Sequence, residues 1–401
     1  MEMQPILDVG CRPSGNFWYV ISSSGTSPIA RVGHASVAVS NDENCKAGIY
    51  VIGGANPDGP FCDVHRLDTM TFEWDKLTTR NEFIARYEHA AFTPIVKPNC
   101  VYIFGGAFQT ANLNSIDVLD TDTSLWSTPC VSGTSPSPRT HHAAASVGNE
   151  LYIFSGGQSQ AVPVSDIQMH VFDAGSHQWR QPECQGTPPS PRHGHTMASV
   201  GTKIFVHGGM AETKFYDDLF VFNTETMTWS QPTVGGNIPI ARAAHSSAVV
   251  GKRLYVFGGM SETGALNDLY VLNTDTNIWT LVECEGHPPA PRLAHTLCTM
   301  KIPIFHDADS SESVMKETQA SPGTRSNSVN QHHSSGDISS PQLVSVLSPE
   351  TYACDVTEKK QIRKRRSAVV CSYQTALMVL GGMDTQGTIY DDCLVFPVAE
   401  S

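Results

Sequence analysis

The chain has 401 residues, 40% hydrophobic and 16% charged, which is enough apolar material for a sizeable core and is not the composition of a disordered protein. Its 26 basic and 39 acidic residues give a net charge of −13, which opposes phosphate backbones and anionic bilayers and excludes nucleic acid or membrane as the main partner. The 11 cysteines are odd in number and scattered with no Cys-x-x-Cys pair, so they read as reduced thiols, not as a zinc or redox motif.

Residues 1–16 begin Met1-Glu2-Met3-Gln4-Pro5, without the basic and apolar regions of a secretory signal. No apolar run long enough to span a bilayer follows, and neither a myristoylation start nor a prenylation cysteine is present. A cytosolic protein is expected, with any membrane residence borrowed from a partner.

The next segment, Phe17-Trp18-Tyr19-Val20-Ile21, reads as a strand and opens a repeat that fills most of the chain. Three markers stay in phase six times. Glycine pairs stand at Gly53-Gly54, Gly105-Gly106, Gly156-Gly157, Gly208-Gly209, Gly258-Gly259 and Gly381-Gly382, each after a short apolar run. Tryptophans stand at Trp18, Trp74, Trp126, Trp179, Trp229 and Trp279, the last five being 20 or 22 residues beyond a pair. Arg-x-x-His begins at Arg31, Arg86, Arg139, Arg192, Arg242 and Arg292, 12 or 13 residues after each tryptophan.

Each unit predicts four antiparallel strands: one after Arg-x-x-His, one ending in the glycine pair, one like Asp268-Leu269-Tyr270-Val271-Leu272, and one around the tryptophan. Short polar side chains such as Asp120-Thr121-Asp122-Thr123 close the third-to-fourth turn, and Val147-Gly148-Asn149 supplies a positive φ between the first two strands. A lone four-stranded sheet cannot bury both faces, so the units are expected to pack radially as blades, with tryptophan filling between them. The fold class is therefore all-β, a six-bladed propeller.

The sequence starts with a tryptophan strand and ends without one. The last blade is thus expected to combine 292–300, 376–383, 391–398 and the N-terminal strand 17–22, which closes the ring and removes its free edges. The propeller would span 17–300 and 376–398. Between them, 301–375 is rich in Ser, Thr, Asn and Gln, with Ser-Pro at Ser321, Ser340 and Ser348, and is expected to be a disordered insertion. Its end, Lys359-Lys360-Gln361-Ile362-Arg363-Lys364-Arg365-Arg366, reads as a nuclear import signal, an anionic-lipid contact or, preferably, a solvated tether. The insertion holds 9 basic and 8 acidic residues, so the acidic character belongs to the ring.

Glycine pair, aromatic, tryptophan and Arg-x-x-His in this order resemble the kelch repeat, over nearly everything outside 301–375. Local wording, including Ala30-Arg31-Val32-Gly33-His34, Arg86-Tyr87-Glu88-His89-Ala90 and Gly387-Thr388-Ile389-Tyr390-Asp391-Asp392-Cys393, is similar to kelch-motif Rab effectors. That resemblance implies a cytosolic protein recruited by a GTP-bound late-endosomal Rab GTPase, acting in transport from late endosomes to the trans-Golgi network; a monomer is expected. It also implies peripheral association with those membranes, and a phosphoinositide kinase or other trafficking protein as a further partner. The competing readings are a substrate adaptor of another complex and a metal-dependent kelch enzyme.

The recurring histidines invite a metal reading, with His141, His142 and His193 its best candidates, but recurrence with the repeat favours packing or hydrogen bonding. The copper and iron patterns of kelch enzymes do not stand out, so neither cofactor nor catalytic residue is expected. The repeat arginines are read as structural, bonding carbonyls of adjoining blades. Strand alternation gathers the loops after the glycine pairs and tryptophans on one face. Asn56, Phe108, Gln158, Met210, Met260 and Met383 are therefore placed there with Tyr87, Thr140, His193 and Leu293. By the resemblance this rim is where a partner protein docks, its apolar members either serving as anchors or packing into neighbouring loops.

Overall fold

The computed structural model describes residues 4–39, 47–81, 83–159, 162–305 and 371–399. Strands and turns account for its regular structure, and no helix is assigned among these residues. Blade 1 is built from Ala35–Val39, Gly48–Ile52, Val64–Asp68 and Glu73–Lys76. Blades 2, 3 and 4 repeat that four-strand order over 90–127, 143–180 and 196–230, and blade 5 over 246–281. The second strand of each is buried nearly throughout; Cys100–Phe104 and Gly48–Ile52 show no exposed position. That burial explains why these strands read as continuous apolar runs and not as alternating ones.

Blade 6 runs in the order Tyr19–Ile21, Cys393–Pro397, Cys371–Leu380, Thr296–Phe305. Tyr19 pairs with Val395 and Val20 with Leu394, antiparallel, so the N-terminal strand completes the last blade. Trp18 is 1% exposed, with ring centroids 5.1 Å from both Phe396 of its own blade and Phe257 of blade 5. Trp179 and Trp229 lie likewise against Phe104 and Phe154 of the blade before. Each tryptophan thus fills the seam to the preceding blade.

Two expected boundaries move. The first two strands of blade 6 reach Phe305 and begin at Cys371, inside the interval assigned to the insertion, because Ile302, Ile304 and Thr375 are buried members of the sheet. Residues 306–370, with the Ser-Pro positions and the basic run 359–366, lie outside the described residues. Within the N-terminal segment, Ile6–Leu7 pairs in parallel with Val20–Ile21.

The outer edges are covered in a way that four strands per blade did not anticipate. After each tryptophan strand the chain lies in parallel along the outer strand of the next blade before turning inward. Ser24–Gly25 runs beside Glu73–Trp74, Arg80 beside Leu125, Ser132 beside Gln178, Gln185 beside Thr228, Gly235–Gly236 beside Ile278–Trp279, and Glu285 beside Phe17. At Gly133 a Cβ would stand 2.1 Å from the Trp179 carbonyl oxygen, so the close approach requires glycine. In blade 2 Asn81 takes that place with a φ of 63°, and its Nδ2 donates to the Trp126 carbonyl at 3.0 Å.

Candidate protein-docking face

Arg-x-x-His crosses from the outer edge of each blade to its innermost strand, at the mouth of the central channel. The arginines are 0–1% exposed, and each guanidinium serves its own blade. Arg242 donates to both oxygens of Asp268 at 2.6 and 2.9 Å, to the Gly258 carbonyl at 3.0 Å and to the Ile240 carbonyl at 3.1 Å. Arg31, Arg192 and Arg292 clamp Asp63, Asp218 and Asp392 in the same two-pronged way, while Arg86 and Arg139 each reach one oxygen of Asp117 and Asp166. The expected bonds to adjoining blades are made instead by the arginine backbone: the Arg86, Arg242 and Arg292 carbonyls accept from Gly54, Gly209 and Gly259 of the preceding blade at 2.8–2.9 Å. A guanidinium matches a carboxylate and a carbonyl within reach of one rigid sheet, so its fork turns inward.

The six aspartates were not singled out by sequence reasoning. Their signal is an Asp 9 to 11 residues after the second glycine, within the third strand or one to three residues before it. Burial would raise the Asp63 carboxyl, but hydrogen bonds from His65 and Arg31 and the Arg31 charge outweigh it and hold it well below the usual carboxylate range. Burial lowers Arg86 although Asp117 opposes it.

The repeat histidines His34, His89, His142, His195, His245 and His295 are buried, 4–9% exposed. Burial and the neighbouring arginine push His34, His142 and His295 down to about 3, so the rings are neutral at physiological pH. His142 and His295 pack edge-on against the preceding blade, with Phe104–His142 and Phe257–His295 centroids 5.3 Å apart. Among the described residues no group of three or more His, Cys, Asp or Glu could hold a metal ion.

Between arginine and histidine the third residue of each motif, Gly33, Glu88, His141, Gly194, Ala244 or Ala294, has a positive φ of 45 to 63°. These six positions form a collar around the channel mouth. Glu88 N–H donates to Gly33 O, Gly194 to His141, Ala244 to Gly194, Ala294 to Ala244 and Gly33 to Ala294, at 2.5–3.0 Å. Between blades 2 and 3 the Glu88 carboxylate makes the crossing, accepting from Thr140 Oγ1 at 2.5 Å and pairing with His141 Nε2 at 2.7 Å. The His141 ring lies 5.8 Å from that of His193.

The rim itself differs from the expected ring of ten. The residue after each arginine pairs with the residue that follows the glycine turn: Val32 with Ala55, Tyr87 with Ala107, Thr140 with Gly157, His193 with Met210, Ala243 with Met260 and Leu293 with Met383. Met210, Met260 and Met383 are thus equivalent, whereas Asn56, Phe108 and Gln158 stand one residue further out along their hairpins. Blade 3 is offset because Ser155, with a φ of 54°, fills the first-glycine place, leaving Gly156 as the second and Gly157 as the rim residue. Asn56, Tyr87, Phe108, Leu293 and the three methionines are half-buried and Gln158 is exposed, whereas Thr140 and His193 are buried. The structure therefore brings Tyr87, Thr140, His193, Leu293 and the methionines to the mouth, and adds Glu88 and His141.

Comparison with known proteins follows the same repeat. Residues 43–212 and 156–306 match the KLHDC2/KLHL20/DRC7 Kelch-repeats domain. The chain is 47% identical over 221 residues to the Rab9 effector protein with kelch motifs of Bos taurus and to that of Homo sapiens, covering 55% of this chain and 59% of each relative. The protein of the same name from Danio rerio is 40% identical over 232 residues, 55% of this chain and 66% of the relative. The chain therefore spans less than two thirds of the length of these curated relatives.

Proposed function

The chain belongs to the kelch-repeat family, and from that premise we propose that it is a non-enzymatic Rab effector that binds a GTP-loaded Rab GTPase through its propeller. The observation that carries this reading is the 47% identity, over 221 residues, to proteins named Rab9 effectors. The geometry accords with it: arginine, aspartate and histidine of every repeat are spent on holding the ring, while the rim varies from blade to blade. A rigid scaffold with a variable mouth is suited to recognising a protein surface. In this reading the partner lies across the collar, touching Tyr87, Leu293, Met210, Met260 and Met383, and the protein acts in vesicle transport from late endosomes to the trans-Golgi network. It would reside in the cytosol and reach those membranes through the bound GTPase.

The test is capture of purified Rab GTPases, Rab9 among them, loaded with a non-hydrolysable GTP analogue or with GDP. An effector distinguishes the two switch conformations, so selective capture of one GTP-loaded Rab is expected. Equal capture of both nucleotide states, or of neither, overturns the effector reading.

A further inference from the structure

The seams between blades are not equally satisfied. His245 Nε2 lies 3.1 Å from Thr196 Oγ1 and 3.1 Å from His207 Nδ1, both of blade 4, and His34 Nε2 lies 2.9 Å from Thr296 Oγ1 of blade 6. Each hydroxyl comes from the residue that directly follows the repeat histidine of the preceding blade. At the same place in blades 1, 2 and 3 stand Ala35, Ala90 and Ala143. The imidazoles that face those blades are His89, His142 and His195, and among the described residues neither ring nitrogen of any of the three has a hydrogen-bond partner.

The strand register shows that the places correspond. Thr196 stands opposite His207, Ala35 opposite Ile52, Ala90 opposite Phe104 and Ala143 opposite Phe154. The Ile52 and Phe154 carbonyls are close enough to favour protonation of His89 and His195 slightly, without reaching hydrogen-bond geometry. A neutral imidazole carries one N–H donor and one acceptor lone pair, and leaving both unmet in a buried seam costs more than folding readily tolerates. Alanine in place of threonine lacks both the hydroxyl and the methyl group that would stand beside the polar ring. These are the conditions under which a buried water is held.

We propose that the seams between blades 1 and 2, 2 and 3, and 3 and 4 each bind an ordered water beside His89, His142 and His195, in the place that Thr196 and Thr296 fill with a hydroxyl elsewhere in the ring. The propeller is then joined by side chains at the seams of blades 4/5 and 6/1 and by water through blades 1 to 4. Ser246, the equivalent residue of blade 5, bears a hydroxyl that donates to the His295 carbonyl at 2.5 Å and not to the ring, so both His295 ring nitrogens are likewise without a partner among the described residues.

Paired substitutions at Ala90 and Ala143 in the full chain separate the hydroxyl from the size and β-propensity of the new side chain. Ala90→Thr and Ala143→Thr replace the water by an attached hydroxyl and should keep or raise the thermal midpoint. Ala90→Val and Ala143→Val displace the water and leave the imidazole orphaned, and should melt about 4 °C below their threonine counterparts. A crystal structure of the unsubstituted chain should show a solvent peak within hydrogen-bond distance of each ring, lost in the threonine variants. Valine variants as stable as the threonine ones, or seams without solvent peaks, would overturn the proposal.

Discussion

Lowering the pH from 7.5 to 5.5 should destabilise the propeller steeply, although no partner or cofactor is involved. His34, His142, His207 and His295 are fully buried and pushed down to about 3, from an ordinary value of 6.5, by burial first and by nearby arginines second. Because the folded value is depressed, the unfolded chain takes up protons first as pH falls. The stabilisation is complete above about pH 6.5 and is lost progressively toward pH 3. Each such histidine costs about 1.4 kcal/mol over the two-unit drop, and the four together on the order of 5 kcal/mol. His89, His195 and His245 shift in the same direction and add to it. Since a folded domain typically holds about 5–15 kcal/mol in total, a large part of the stability would go. Urea unfolding followed by fluorescence of the six seam tryptophans at pH 7.5, 6.5 and 5.5 measures it directly. A free energy of unfolding that changes by less than about 1 kcal/mol across that range would show that the imidazoles are open to bulk solvent or already charged in the folded ring, and would refute the reasoning.

Other outcomes follow from the same architecture. Asp268→Ala leaves the Arg242 guanidinium buried without its carboxylate, and should cost about 3–5 kcal/mol in chemical denaturation. Removing residues 1–22 takes Trp18 and the fourth strand out of blade 6, so the truncated chain should aggregate or lose cooperative melting, as light scattering and calorimetry would reveal. Gly133→Ala drives a methyl group into the Trp179 carbonyl at a φ of 77°, and should lower the thermal midpoint by several degrees. Exchanging Tyr87, Phe108, Met210 and Met260 together for Ser should weaken capture of the GTP-loaded Rab about tenfold or more with little change in melting, since all four are half-buried, three at the mouth and Phe108 one residue further out on its hairpin.

Much of the ring could be read from residues whose spacing is set by covalent repetition. Glycine pairs, tryptophans and Arg-x-x-His recur because every blade needs the same turn, the same seam filler and the same crossing, so count, order and closure by Phe17–Ile21 were all legible. What the sequence hid was which partner each group would choose. Spacing alone allows Arg242 to bond a carbonyl in either blade; the third-strand aspartate beside it decides for its own. A one-residue offset in blade 3 also passes unnoticed in the string Ser155-Gly156-Gly157, because serine can adopt the positive φ that the first position demands. The same kind of slip put Asn56, Phe108 and Gln158 in line with Met210, Met260 and Met383. Glu88 was invisible for another reason: its role depends on Thr140 and His141, 52 and 53 residues away, and on a collar that exists only once the blades are side by side.

The overlap of each blade by the strand tail of the one before makes the blades unsuited to independent survival. A cut anywhere in the ring removes the covering from one neighbour and the anchor from another, as with roof tiles laid in a circle. Proteolysis and heat should therefore release the ring as a single unit, and partial rings of four or five blades should not accumulate.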